Sequence, residues 1–374
     1  MKILATTPYF YPEGGGLERY SYNIFKRLVA KGHKIDVYCA TRQGYDSKEE
    51  LDGIIVNRLK PDLIISNTPI RYNLYSILER ELDRNSYDLI NSHTPVPYFA
   101  EITSLVAAKK KIDYILTYHA PVISTSILLN IISNILRITI DKHMMKIAKK
   151  IITVNDICTY TYLNKYIDKT VVIPPGVDIN RYKPNSYNAY GKRLLFIGSL
   201  TLSYKYKGLR VLLDSLPLVV KYHPDVKLVI IGDGPLKKEY MNLCKLNNID
   251  KNVMFRGRVS EEELISEYQN STLLIVPTLT DTEGFGMVSL EANACGIPVI
   301  ASRIGGIPYY VKDGINGSLV EPRNSKALAD KIIKLLDNPK LLEKLSSDCR
   351  ERALEFGWDK VTNMTEKLFL MEIR

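Results

Sequence analysis

Thr282-Glu283-Gly284-Phe285-Gly286-Met287-Val288-Ser289-Leu290-Glu291-Ala292 is the stretch on which the fold of this chain turns. It follows a short, wholly apolar run at Leu273–Val276 and opens a pattern with helical spacing, so it joins a strand to a helix. Backbone N–H groups at the start of such a helix are unpaired and lie at the positive end of its dipole, which suits an anion such as a diphosphate. Gly284 and Gly286 allow a ligand to approach the backbone closely. Glu283 sits in the turn and Glu291 about a turn and a half into the helix, so two carboxylates can hold two hydroxylated parts of one ligand.

The second half of the chain repeats this strand-to-helix step. Apolar runs fall at residues 194–197, 226–231, 253–255, Leu273–Val276 and 299–301, with helical patterns at 209–221, from Leu236, at 325–337 and at 340–356. Pro339 suits a first helical turn, and a last helical stretch follows Trp358. The first half has the same rhythm, with runs at Lys2–Thr6, 35–39, 54–56, Leu63–Ile65, 89–90, 114–116, 151–154 and 171–173. Its first strand leads through Gly14-Gly15-Gly16 into a helix over residues 17–31 with Leu17, Tyr20, Ile24 and Leu28 on one face, and Gly32 suits its end. Such alternation predicts an α/β protein of two doubly wound, Rossmann-like domains with parallel sheets. The expected division is 1–180, a polar linker at 181–192, a second domain at 193–356, and a C-terminal helix at 357–374 returning to the first domain. Ligands of such sheets bind beyond the C-terminal ends of the strands, which predicts a site in a cleft between the two domains.

The length of 374 residues, 45% hydrophobic and 25% charged, fits two folded domains of ordinary size. Five scattered cysteines, Cys39, Cys158, Cys244, Cys295 and Cys349, form no Cys-x-x-Cys pair and predict reduced thiols in a cytoplasmic protein. The N-terminal residues run directly into a strand pattern without a secretory signal. The net charge of +10 suits an anionic partner or membrane surface. No nucleic-acid-binding motif accompanies it, so no nucleic-acid partner is expected. Basic and apolar residues gather only at residues 122–150, where Ile127, Leu128, Ile131, Ile132, Ile135 and Leu136 precede Lys142, Lys146, Lys149 and Lys150. Asn130, Asn134 and Arg137 interrupt the roughly 20 apolar residues a membrane span needs, so the stretch reads as an amphipathic helix, packed on its own domain or lying on the inner membrane face.

The Glu283-x7-Glu291 segment with Gly284-Phe285-Gly286 resembles the signature of family 4 glycosyltransferases of the GT-B fold. The Gly14-Gly15-Gly16-Leu17-Glu18-Arg19 turn, the Lys207-Gly208 pair and the Gly232-Asp233-Gly234-Pro235 turn resemble that family in the same order, so the resemblance covers nearly the whole chain. It implies a retaining hexosyltransferase that needs no metal or other cofactor and takes a UDP- or GDP-linked sugar as donor. The implied acceptor is a hydroxyl of a glycan or lipid-linked glycan. By resemblance Glu291 holds the donor ribose, Glu283 the sugar hydroxyls, and the amides of Gly284, Phe285, Gly286, Met287 and Val288 the sugar and phosphate oxygens. Lys207 neutralises the leaving diphosphate, the role a fixed cation plays where negative charge develops. His119, after Thr117-Tyr118, is expected beside the donor sugar, Gly14 to Gly16 at the donor, and the main chain near Arg258 and Val259 at the base.

One position departs from the family. Ser199, in Gly198-Ser199-Leu200, stands where the family places an Arg, and Lys205 in the longer turn after it is expected to reach the diphosphate instead, without the bidentate geometry of Arg. His33, His93, His143 and His223 read as structural. Two rivals remain open at this point: a sugar-nucleotide epimerase or a phosphorylase of the same architecture, and a non-catalytic subunit that binds sugar nucleotide, to which Ser199 lends support.

Overall fold

The structure, a computed structural model, describes residues 1–65, 68–119, 142–156, 163–185, 191–281 and 283–373. The chain forms two compact units, Met1–Pro175 with Trp358–Arg374, and Gly176–Gly357.

The first unit is built on an eight-stranded sheet in the order Thr170–Val172, Lys150–Thr153, Tyr114–Tyr118, Leu89–Thr94, Lys2–Thr6, Lys34–Ala40, Ile54–Leu59 and Ser47–Leu51. All neighbours are parallel except the last pair. Successive side chains leave a strand on opposite faces, so Leu4, Ile90 and Leu116 serve one core and Ile3, Leu89 and Ile115 the other. Nearly continuous apolar strands of this kind are what a sheet covered on both faces requires. Helix Trp358–Glu372 covers the second of these faces, packing Trp358, Val361 and Phe369 with Tyr20, Ile24 and Phe25 of helix Gly16–Ala30. Arg27 with Asp359 at 2.9 Å, and His33 with Glu366 at 2.8 Å, tie the two helices together.

The second unit has six parallel strands in the order Val253–Gly257, Lys227–Ile231, Arg193–Ile197, Leu273–Val276, Val299–Ser302 and Gly317–Val320. Phe196, Leu228 and Ile230 face one core, and Leu195, Val229 and Leu274 the other. Gly317 is required where the last strand begins, because a Cβ there would lie 2.2 Å from the Val299 carbonyl oxygen.

Three expectations change: the unit boundary, the linker and the strand at Leu63–Ile65. The unit boundary falls at Pro175 and Gly176, before residue 180, and the described part of the expected linker is built into the second unit. Val177 bridges to Gly357, Tyr182 is buried against Tyr268, and the Arg350 guanidinium donates to the carbonyls of Ile179, Tyr182 and Ala294. Leu63–Ile65 joins neither parallel sheet but pairs antiparallel with Thr68–Ile70, its three apolar side chains 43–49% exposed. The stretch 122–150 lies mostly outside the described residues. Of its end, Met144 and Met145 are buried in the first core and Lys149 pairs with Asp113 at 3.3 Å. Among the described residues no helix is long and apolar enough to cross a membrane. Cys39, Cys244, Cys295 and Cys349 are free and buried.

Candidate active site

In the second unit, five loops leave the C-terminal ends of adjacent parallel strands, and backbone contacts set their relative positions. Gly232 and Gly234 lie against Gly198 and Leu200, where a Cβ would come within 1.9 Å and 2.4 Å of their carbonyl oxygens. Leu200 N–H donates to the Asp233 carbonyl at 3.0 Å and Gly198 N–H to that of Ile231 at 3.0 Å. The Gly-Asp-Gly turn is therefore first a packing device. Ser199 is half-buried on this seam.

Lys207 ends the short helical segment Leu202–Lys207, and Gly208 after it has φ +75° with its Cα against the Pro277 carbonyl. Leu279 N–H donates to Tyr206 O at 2.7 Å, so the Lys207 loop is stitched to the loop that carries Glu283. The Lys207 ammonium forms an ion pair with Glu283, the two side chains 17% and 12% exposed. Burial works against the ammonium, but the Glu283 carboxylate outweighs it and Lys207 stands above the usual lysine range. The same surroundings, burial first, push the Tyr206 phenol up to about 12. The main chain of Glu283 is also held, its carbonyl accepting from Gly306 N–H at 2.9 Å.

Lys205 turns elsewhere, its exposed ammonium 3.8 Å from Glu239 on helix Lys237–Leu246. The position vacated by the family's Arg is thus flanked by a lysine that already has a carboxylate partner. Arg256 pairs with Glu267 at 3.3 Å, whereas Arg258 is exposed and Val259 packs partly on the core.

Helix Met287–Ala294 starts at Gly286, which has φ +78°. Its first turn holds no acidic residue and no side chain caps it, so the amides of Met287 and Val288 remain at an open, positive helix end. Phe285 is buried against Tyr310, ring centroids 5.4 Å apart, and Phe356, which makes its side chain the anchor of this turn. On the helix, Glu291 accepts a 2.7 Å hydrogen bond from the phenol of fully buried Tyr268. Burial, and then the charge of Glu291, hold that phenol well above the usual tyrosine range and push the nearby Cys295 thiol up to about 12. Tyr268 was not legible as a site residue, since its partner lies 23 positions along the chain.

In the first unit the Gly14-Gly15-Gly16 turn is occupied by its own helix. The Glu18 carboxylate folds back to accept Gly15 N–H at 2.6 Å, and a Cβ on Gly14 would meet its Cδ at 2.3 Å. Burial raises Glu18 above the usual carboxylate value. Gly16 is exposed, with open space where a Cβ would stand.

His119 follows strand Tyr114–Tyr118 and is partnered by a residue read as structural. Its Nε2 is 3.0 Å from Nδ1 of His93, whose Nε2 is 3.0 Å from Asn91 Oδ1. Asn91 Nδ2 donates to the Ile115 carbonyl and to Thr117 Oγ1, both at 3.1 Å. The Tyr20 ring meets His119 edge-on at 4.8 Å. Burial pushes His119 down to about 3 and, together with His119, holds His93 well below the usual imidazole range. Of this row the sequence shows only the alternation of Asn91 and His93 along one strand; the parallel pairing of the fold sets Thr117 and His119 beside it.

Residues 14–181 match the family described as Glycosyltransferase Family 4, and residues 182–353 that described as Glycosyl transferases group 1. The chain is 32% identical to an uncharacterised glycosyltransferase of Methanocaldococcus jannaschii over 99% of its own length and 98% of the other. It is 24% identical to O-antigen chain mannosyltransferase C of Escherichia coli over 94% and 93%. The Anabaena protein HepE, solved in complex with UDP, superposes with a TM-score of 0.79 at 18% identity, covering 99% of this chain and 100% of that one, a likeness of fold. Fold and matches together define a glycosyltransferase of the GT-B type. The chain belongs to the family 4, group 1 glycosyltransferases.

Proposed function

We propose that the protein transfers a hexosyl unit, with retention, from a UDP- or GDP-linked sugar to a hydroxyl of a glycan or lipid-linked glycan, without a metal. The observation that carries the reading is the grouping in the second unit of an uncapped helix end at Met287 and Val288, a mostly buried lysine paired with Glu283, and Glu291 held by Tyr268. A diphosphate takes the helix end and Lys207, the ribose takes Glu291, and the sugar hydroxyls take Glu283. As the anomeric C–O bond to phosphate breaks, its electron pair goes to the leaving diphosphate, whose added charge Lys207 offsets. The acceptor oxygen attacks from the same face and passes its proton to that phosphate, so no side-chain base is required.

The occupied turn at Gly14–Gly16 supports placing the diphosphate at Gly286 instead, because Glu18 already brings a carboxylate to the other helix end. The mannosyltransferase among the relatives supports a hexose and a glycan acceptor. One observation favours a second reading, a non-catalytic subunit that binds sugar nucleotide: Ser199 replaces the family's Arg and Lys205 is paired with Glu239.

The test is a panel of UDP-, GDP- and ADP-sugars in EDTA, followed by thermal shift and nucleotide release, with Glu291→Ala as control. Stabilisation by one nucleotide class, lost in the variant and accompanied by metal-free release, supports the transferase. Stabilisation without release, with and without glycan acceptors, supports the second reading. No shift with any donor refutes both.

A further inference from the structure

We propose that Asn91 and His93 are positioning residues that fix the proton of His119 on Nε2, so that Nδ1 faces the ligand as a bare acceptor for a sugar O–H. The polarity of the row follows from its far end. Asn91 Nδ2 faces the Ile115 carbonyl, which can only accept, so the amide orientation is set and Oδ1 is the atom that faces His93. Oδ1 cannot donate, so His93 Nε2 carries a proton. A neutral imidazole has one donor and one acceptor, which leaves His93 Nδ1 to accept from His119 Nε2 at 3.0 Å. Neutral His119 then has its only lone pair on Nδ1, for which the described residues offer no partner.

The packing holds the rings to this geometry. His93 stacks on His119 with centroids 5.3 Å apart and a tilt of 24°, Phe25 meets His93 edge-on at 5.6 Å, and Tyr20 meets His119 at 88°. An acceptor without charge recognises a hydroxyl hydrogen. It has nothing to offer a carboxylate or phosphate oxygen, so sugars acidic at that position are disfavoured and His119 is not a cation for the leaving group. This consequence for substrate rests on the sugar-nucleotide reading above, whereas the tautomer itself does not.

The experiment uses the full chain labelled with 15N-histidine, and long-range 1H–15N spectra near neutral pH, His119 being assigned by the signal lost in His119→Phe. Expected is a single neutral tautomer with the proton on Nε2. A proton on Nδ1, or an imidazolium at neutral pH, overturns the proposal before any other variant is made. His93→Phe keeps the stacked ring but cannot accept, so His119 loses its fixed tautomer and kcat falls about 5–10-fold, the weight of one hydrogen bond, with donor KM less affected. His93→Gln, whose amide can both accept from His119 and donate to Asn91, restores tautomer and rate. An unchanged His119 signal in folded His93→Phe overturns the proposal. Loss of donor hydrolysis in water places the recognised O–H on the donor sugar, and loss of transfer alone places it on the acceptor. The expected tautomer in a chain that binds no sugar nucleotide supports the row and removes only the functional reading.

Discussion

Removing one member of the Lys207–Glu283 pair should cost more than removing both. Lys207→Met leaves the Glu283 carboxylate, 12% exposed, without its cation, and Glu283→Gln leaves the ammonium, 17% exposed, without its anion. Breaking a fully buried pair costs about 3–5 kcal/mol and a surface pair about 0–1, so these mostly buried groups should lose about 2–3 kcal/mol in either single variant. The double variant carries no stranded charge and should lose about 1 kcal/mol, giving a coupling of about 3–5 kcal/mol. For a unit the size of Gly176–Gly357 each kcal/mol is worth about 2–4 °C, so the single variants should melt about 5–10 °C lower. The sign with pH is equally definite. Lys207 is raised above its usual 10.5, so its contribution is complete below that value and is lost as pH rises through the higher folded value. Calorimetry without nucleotide is the assay, and only the transition of the second unit should move. Single-variant losses that add to the double within about 0.5 kcal/mol would refute the pair as a coupled, desolvated unit.

Tyr268→Phe removes the phenol that donates to Glu291, and titration with the nucleotide product should show affinity about 5–10-fold weaker, while turnover at saturating donor is retained. Gly208→Ala and Gly257→Ala share φ near +75°, yet an added Cβ would stand 1.8 Å from the Pro277 oxygen at the first and meet nothing within 4 Å at the second. Urea unfolding should therefore show about 1 kcal/mol lost for Gly257→Ala and about 2–4 for Gly208→Ala, equal losses counting against the packing at Lys207. His119 is depressed from 6.5 to about 3, so the unfolded chain binds its proton more readily between those values and stability falls as pH drops through that window. Denaturation across that range should show a shallower acid loss in His119→Phe than in the parent, and an unchanged slope would place an ordinary histidine there.

The strands that could be read in the sequence were those whose hydrophobicity is itself the reason they are strands. Lys2–Thr6 and Leu273–Val276 are buried on both faces and need no partner information to be recognised. Ser47–Leu51 was missed because a polar edge strand is held by backbone pairing with Ile54–Leu59, which leaves no apolar signature. Leu63–Ile65 failed in the opposite direction, an apolar triplet that looks like core and is half-exposed in a two-stranded arm. Gly317–Val320 was missed because its first residue is chosen for the space beside Val299. At the site, Glu283, Glu291 and Lys207 were legible as residue types at a spacing, but Tyr268, His93 and Asn91 act through partners that only the fold brings near.

The two glycine-rich turns show why a motif must be read with its electrostatics. Each joins a parallel strand to a helix, and composition alone gives both the same claim on an anion. At Gly14–Gly16 the helix end is already satisfied by Glu18, and a second negative charge there would meet a buried carboxylate whose own ionisation is disfavoured. At Gly286 the first helical turn carries no acid, and the Glu283 carboxylate in the turn before it is paired with Lys207. On the proposed reading, a diphosphate arriving at the second turn finds amides that no side chain caps and a cation whose partner transfers to the sugar hydroxyls. On that reading the ion pair is the resting state of the groups proposed to serve the reaction, with the positive charge in place before the leaving group departs.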